Sequence, residues 1–252
     1  MTEAEGIAPA GLAALVTGAG RSLGRAVALA LGTSGVAVAA HYHTSADGAA
    51  EVVEAIHAAG GEAWSLRADL SDPGEALALV GRAAEACGRP VGILVNSASV
   101  YETSRVLDFG PEELAANVQV NALAPLLLCR AMAAQGRPGS IVNLLDARMG
   151  DYDREHAAYH LSKRMLRDLT RMLALELAPG IRVNGVAPGL IAPPDGQARE
   201  AALSLAHTNP LQRTGSTGDV AEAVLFLLRS GFITGQTIYV DGGRNLRGSV
   251  YG

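Results

Sequence analysis

Apolar residues along this chain come in two alternating arrangements: short dense runs, and longer stretches where they recur every three or four positions. The dense runs predict strands at Leu12–Val16, Val36–Ala40, Trp64–Ala68, Val91–Val95, Ile141–Leu145 and Ile181–Val186, with a last strand closing at Val240. Runs with apolar side chains on both faces belong in a parallel sheet covered on both sides. The helical spacing predicts helices at Arg25–Leu31, Ala46–Ala59 and Pro73–Cys87, from Pro111 on to Ala134, up to Leu177 after the fifth strand, and at Thr217–Arg229. This alternation predicts an α/β fold with right-handed crossovers. Residues 1–10 are expected as a loose tail, residues 11–243 as the folded unit and residues 244–252 as a second tail. Residues 190–214 are rich in Pro, Gly and polar groups and read as a flap with one short helix, of the sort that closes over a substrate.

Candidate chemistry gathers where the strands end. The first strand runs into Thr17-Gly18-Ala19-Gly20-Arg21-Ser22-Leu23-Gly24 and then a helix, an order that sets a phosphate against backbone N–H groups at a helix N-terminus. A glycine-rich turn with no ligand is the plainer alternative. The second strand ends in His41-Tyr42-His43-Thr44-Ser45. In dinucleotide folds an acid near this point binds the adenosine ribose hydroxyls and repels a 2′-phosphate. No acid comes before Asp47, and Arg21, His43, Thr44 and Ser45 offer donors, so NADPH is expected over NADH. His41 and His43 alternate onto one strand face, but with no third ligand in view no metal is expected. Asp69-Leu70 closes the third strand, where a carboxylate can accept from an adenine amino group. Capping the next helix is the alternative, a task that suits Ser71 or Asp72 before Pro73 better. The fourth strand ends in Asn96-Ser97-Ala98-Ser99, small residues that let a ligand approach the backbone, and Tyr101 follows on the loop.

The segment from Ile141 to Lys163 organises the rest. Its strand ends at Asp146, thirteen residues before Tyr159, at the carboxyl end where open α/β sheets bind their ligands. Tyr159 and Lys163, four apart, share one helix face. A phenol titrates near 10, and a close cation lowers such a pKa by roughly 1–3 units. Tyr159 beside Lys163 is therefore expected to donate a proton at neutral pH. Asn121 is expected to hold a water or the backbone near the lysine, with a satisfied core amide as the alternative.

Composition narrows the classes. A chain of 252 residues with 49% hydrophobic content can bury a large core, as one α/β domain or two small ones. Charged residues are 18%, which leaves surface for neighbouring subunits to cover. A net charge of −5 without a basic run argues against nucleic acid and against an anionic membrane surface. Residues 26–46 carry no charge, but Gly32, Ser34 and Gly35 break them into helix, turn and strand rather than a membrane span. Cys87 and Cys129 match no metal or redox spacing, and the first residues hold acids rather than a basic leader, so a cytoplasmic protein is expected.

Together, Thr17-Gly18…Gly24, Asn96-Ser97-Ala98, Asn121, Tyr159-x-x-x-Lys163 and Pro188-Gly189 resemble the short-chain dehydrogenase/reductase family over roughly residues 12–243. The resemblance implies a single Rossmann-type, doubly wound domain with a seven-stranded parallel sheet, assembled as a homotetramer. It also implies hydride transfer from a nicotinamide, with Tyr159 as acid and Lys163 on the nicotinamide ribose. By it, Gly18, Arg21, Ser22, Leu23, Tyr42, His43, Thr44, Ser45, Asp69, Leu70, Asn96, Ser97, Ala98, Pro188 and Gly189 are expected at the cofactor. Two departures from the generic pattern, Ser22 for the middle glycine of the turn and Asp146 for the usual serine, are similar to the pteridine reductase branch. So are His41-Tyr42-His43-x-Ser45, Asn96-x-Ala98-Ser99 and the ending Phe232-Ile233-Thr234-Gly235…Asp241-Gly242-Gly243-Arg244. Ser22 itself stands where that branch has a second basic residue. The branch implies a pterin-like substrate touched by Ser99, Tyr101, Asp146 and Tyr159. The alternatives are a carbonyl reductase of the same fold acting on a β-ketoacyl thioester or small ketone, and a non-catalytic NADPH-binding regulator. Arg244 and Arg247 in the last tail are further expected to reach a neighbouring subunit's site.

Overall fold

A computed structural model describes residues 12–150, 154–192 and 197–246. Seven parallel strands, β1 (Ala13–Val16), β2 (Ala37–Tyr42), β3 (Ala63–Arg67), β4 (Val91–Asn96), β5 (Gly139–Leu144), β6 (Ile181–Pro188) and β7 (Thr237–Val240), lie in the order β3-β2-β1-β4-β5-β6-β7. The order reverses between β1 and β4, and the crevice beyond the carboxyl ends of those two strands is where such sheets take ligands. Helices cover both faces: α1 (Ser22–Thr33), α2 (Ala46–Ala58), α3 (Pro73–Cys87), α4 (Pro111–Val118), α5 (Ala124–Ala133), α6 (Ala157–Glu176), α7 (Gln197–Ser204) and α8 (Thr217–Arg229).

Alternation along the strands feeds two cores. Leu15, Leu94, Ile141 and Val183 pack with α3, α5 and α6 through Leu79, Leu128, Met132 and Leu173. Val16, Ile93, Val142 and Val186 pack on the other face with α1, α2 and α8 through Leu31, Ile56, Val224 and Leu227. Each such side chain, fully buried, contributes roughly 1.5–3 kcal/mol.

The helix expected from Pro111 to Ala134 is present, but a π-helical turn, Gln119–Leu123, interrupts it. Pro125 has no N–H to give the carbonyl four residues earlier, that of Asn121, and the widened turn sits over that gap. By length and mean hydropathy (1.2) Pro111–Ala133 is, among the described residues, the one helix able to cross a bilayer. Here Leu128, Cys129 and Met132 lie in the core, and Asn117 and Asn121 are buried with partners inside the protein. Core burial accounts for part of its apolarity.

Two boundaries bear on the site. Strand β2 runs on through His41 and Tyr42, and α1 begins at Ser22, three residues before the expected start. Of the segment read as a flap, α7 and a short turn at Ala206–Thr208 are described, while Pro193, Pro194, Asp195 and Gly196 lie outside the described residues, as do the tail 1–10, Arg247 and Tyr251. Arg244 donates to Thr208 Oγ1 of its own chain, 2.9 Å away.

Candidate active site

The turn after β1 is built for close approach. Gly18 has φ +67°, and a Cβ there would stand 2.9 Å from the Ala98 Cα. A Cβ on Gly24 would fall 2.2 Å from the Gly18 carbonyl oxygen. Ser22 keeps a left-handed backbone, φ +49°, although the glycine that tolerates it has been replaced. Thr17 Oγ1 accepts from the amides of Ser97 and Ala98 at 2.9 and 3.0 Å, tying the turn to the end of β4.

Two helices open onto this turn without side-chain caps: α1, with Arg21 at its N-cap, and α2, with Ser45. Ser22, Leu23 and Gly24 at the start of α1 border a cavity of about 430 Å³, and so does Ser45 at the head of α2; the uncapped N-terminus of α1 is a ready seat for phosphates. Gly18, Arg21, Ser22 and Leu23 line one side of it, and Tyr42, His43, Thr44 and Ser45 line the next. Asp69 and Leu70 stand at the far end, and Ser97, Ala98, Ser99, Tyr159 and Lys163 close the near one. Asp69 accepts from the Ser71 amide and hydroxyl at 2.9 and 2.7 Å, and these bonds hold its pKa below the usual range. Its other oxygen lies 3.6 Å from His43 Nε2. Capping of α3 falls to Asp72, which accepts from Gly74 and Glu75 N–H. The glycine cradle, the two open helix starts and Arg21 beside Thr44 and Ser45 fit a phosphorylated dinucleotide.

The catalytic groups converge beyond β5. Asp146 Oδ1 accepts from the Arg148 amide at 2.7 Å, and Oδ2 accepts from the Tyr159 hydroxyl at 3.0 Å. Lys163 is buried on the same face of α6 and donates to the Leu144 carbonyl at 2.7 Å. A second cavity, about 320 Å³, is lined by Ser22, Asp146, Tyr159, Pro188, Gly189, Ile191 and Thr217. Tyr159 borders both cavities, together with Ser22, Leu23 and Leu145, while Pro188 and Gly189, expected at the cofactor, line the second and not the first.

The expected electrostatics need correction. Lys163 does not lower the Tyr159 pKa. Burial, then the charge of Asp146 and its hydrogen bond, push the phenol well above its usual value. The ammonium sits 5.7 Å from the ring centroid and spends a proton on Leu144, whereas the carboxylate touches the hydroxyl. Burial draws Lys163 down to about 8. Tyr159 thus stays protonated across neutral pH, as an acid in a reduction must.

Two further expectations change. The Asn96 side chain turns into the core, donating to Asn143 Oδ1 at 2.8 Å, and does not line the cofactor cavity. Asn121 spends its amide on the Ser99 hydroxyl, both backbone groups of Val100 and Ser162 Oγ. None of these bonds reaches Lys163. Asn121 positions the loop that carries Ser99 and Tyr101.

Tyr101 meets the edge of the Tyr159 ring (centroids 4.6 Å apart, planes at 88°) and stacks on His156 (4.0 Å, 11°). Its hydroxyl lies 3.1 Å from His156 Nδ1. A bridge between Ser104 and His156 clamps this loop to the start of α6. His156, Ile191 and Thr217 were not read from the sequence. Only His156 carried a signal there, lying three residues before Tyr159 and so on its side of the helix.

His41 and His43 both border the first cavity. His41 is 1% exposed within β2, whereas β2 ends at Tyr42 and His43 lies past it, largely open to solvent. Among the described residues no group of three His, Cys, Asp or Glu side chains is placed to hold a metal ion.

The sequence profile described as "Enoyl-(Acyl carrier protein) reductase" matches residues 18–245. An uncharacterized oxidoreductase of Methylorubrum extorquens is 38% identical over 244 residues, 92% of this chain and 97% of that one. Among solved structures, FolM alternative dihydrofolate reductase 1 from Brucella canis, complexed with NADP, superposes with a TM-score of 0.86 at 32% identity, covering 93% of this chain and 94% of the other. The angucycline C-6 ketoreductase LanV with bound NADP superposes with a TM-score of 0.85 at 33% identity, covering 94% and 96%.

Proposed function

The chain belongs to the short-chain dehydrogenase/reductase family and is an NADPH-dependent reductase; from that premise we propose that it reduces a ring C=N bond of a dihydropterin or dihydrofolate. The observation that carries this reading is the Asp146 carboxylate 3.0 Å from the Tyr159 hydroxyl, in the cavity wall they share. Reducing C=N adds hydride to carbon and a proton to nitrogen. NADPH supplies the hydride when bound. Tyr159 holds the proton, and Asp146 can accept from amidine-type N–H groups beside the reacting nitrogen or relay a replacement proton, neither of which a serine hydroxyl does as well. Lys163 and the Ser97–Ser99 backbone line the nicotinamide end of the cleft. Tyr101, edge-on to Tyr159 and with one face stacked on His156, leaves the rest of its exposed ring as an aromatic surface that suits a flat heterocycle better than a flexible acyl chain. The likeness to Brucella canis FolM supports the same reading.

A second reading, a carbonyl reductase acting on a β-ketoacyl thioester or small ketone, is supported by the equal likeness to the ketoreductase LanV. Purified protein is given NADPH and either a dihydropterin or an acetoacetyl thioester, and NADPH oxidation is followed. The pterin reading expects turnover of the dihydropterin; turnover of the thioester alone would sink it.

The protein is further proposed to self-associate as a homotetramer in the cytoplasm. Leu161, Met165, Met172 and Leu175 expose apolar surface along α6, an area a second copy would cover. Both cysteines are free and buried, in keeping with a reducing compartment.

A further inference from the structure

We infer that His41 is a positioning residue of the cofactor cleft: one neutral imidazole, locked in a single tautomer, joins the phosphate turn to the adenosine wall and sets the distance between them. The ring lies at the end of β2, between the two segments it joins. The Gly18 amide donates to Nδ1 at 3.2 Å, so Nδ1 must carry the lone pair. Nε2, 3.1 Å from the Ala68 carbonyl oxygen, must then carry the hydrogen. Gly18 opens the glycine turn, and Ala68 precedes Asp69 and Leu70 at the far end of the same cavity. The backbone doubles both links, since Ala19 N–H donates to the His41 carbonyl and Ala68 N–H to that of Tyr42.

The assignment is over-determined. Exchanging the tautomer would face N–H against N–H at Gly18 and a lone pair against a carbonyl at Ala68. Protonation would keep the Ala68 bond but break the one to Gly18. Burial holds the ring's pKa down to about 4, with smaller contributions from the Ala68 bond and Glu75 (raising) and from His43 and Arg82 (lowering). Among the described residues no other side chain takes the Gly18 N–H, and a buried N–H left unpaired weakens the state that needs it. Because Gly18 already adopts φ +67° against Ala98, releasing its amide frees the turn on which the phosphates would seat. This inference concerns the cofactor alone and stands whichever substrate the enzyme takes.

Three variants separate the two bonds from mere volume. Asn at position 41 can offer an acceptor near the place of Nδ1, Gln a donor near that of Nε2, and Phe neither. NADPH dissociation constants come from fluorescence titration of the free enzyme. His41→Asn is expected within about threefold of wild type, whereas His41→Gln and His41→Phe weaken binding about tenfold, the scale of one buried hydrogen bond left unmade. The loss should appear in KM for NADPH rather than in kcat. Binding by His41→Phe as tight as wild type, or as weak in His41→Asn as in His41→Phe, would overturn the assignment. Imidazole 15N shifts of the wild-type protein test it without any variant. The inference expects the Nε2–H tautomer, unchanged from pH 8 to 5; the Nδ1–H form, or titration near 6.5, would refute it.

Discussion

Four helices start in two different ways. Helices α3 and α8 begin under side-chain caps: Asp72 accepts from Gly74 and Glu75 N–H, and Ser216 and Asp219 bond reciprocally. Helices α1 and α2 begin with none, although Ser45 at the head of α2 is a residue type that caps well. A cap contributes about 1 kcal/mol, so the first pair is fastened and the second is left open. What differs is where they lie. The start of α1 and the residue before α2 border the dinucleotide cavity, whereas α3 starts just past Ser71 at its far end and α8 starts with Thr217 on the second cavity. An uncapped start leaves backbone N–H groups free for an anion, and the turn draws its rigidity from His41 and Thr17 instead.

The largest expected effect follows from that substitution of supports. His41 titrates near 6.5 when unfolded and at about 4 when folded. Between those values the unfolded chain binds the extra proton, so stability falls as the pH drops through the window, by roughly 3 kcal/mol in all. Asp219 has a lowered pKa, from its bonds to Ser216, so the capped region loses its contribution only below the ordinary carboxylate range. Urea unfolding of wild type and His41→Asn from pH 7 to 4 checks this: the variant should show a shallower slope, and equal slopes would remove His41 as the cause.

Closing an open helix start should cost nearly as much. Arg21→Asp puts a carboxylate at the N-cap of α1 and removes a cation, and is expected to weaken NADPH about 100-fold, some 2.7 kcal/mol, by fluorescence titration. An unchanged constant would show that the phosphates do not seat there. Leaving the second start as it is, with donors at His43, Thr44 and Ser45 and no acid before Asp47, should give at least a tenfold preference for NADPH over NADH, about 1.4 kcal/mol. Equal dissociation constants would break that inference. The smallest effect is the converse change. Ser216→Ala should cost about 1 kcal/mol of stability while leaving the NADPH constant unmoved, and a loss of affinity would mean that the two kinds of helix start are not separate devices.

Much of the site was readable because its parts are short-range. The turn Gly18–Gly24, the spacing of Asp146, Tyr159 and Lys163, and the run Tyr42–Ser45 each lie on one stretch of chain at one strand end, and all of them border the two joined cavities. The misreadings share a different cause. Asn96, the last residue of β4, points into the core because β5 brings Asn143 there to accept from it, and Thr170 of α6 accepts in turn from Asn143. Asn121 serves the Ser99–Val100 loop because Pro125 widens its helix and Ser162 of α6 meets it from below. The Tyr159 pKa rises rather than falls because a carboxylate thirteen residues away touches the hydroxyl while the lysine four residues away does not.

Periodicity and residue type were enough for the order of strands and helices, the glycine turn, and the choice of acid, lysine and carboxylate, since each depends on chain geometry within a turn or a strand. Which way His41 and Asn96 face, what stacks on Tyr101, and which charge governs Tyr159 depend on segments far apart in sequence meeting across the sheet. Burial and hydrogen-bond partners exist only once β1, β2 and β3 lie side by side. That is why the ring of His41 acquired its task only in the folded molecule.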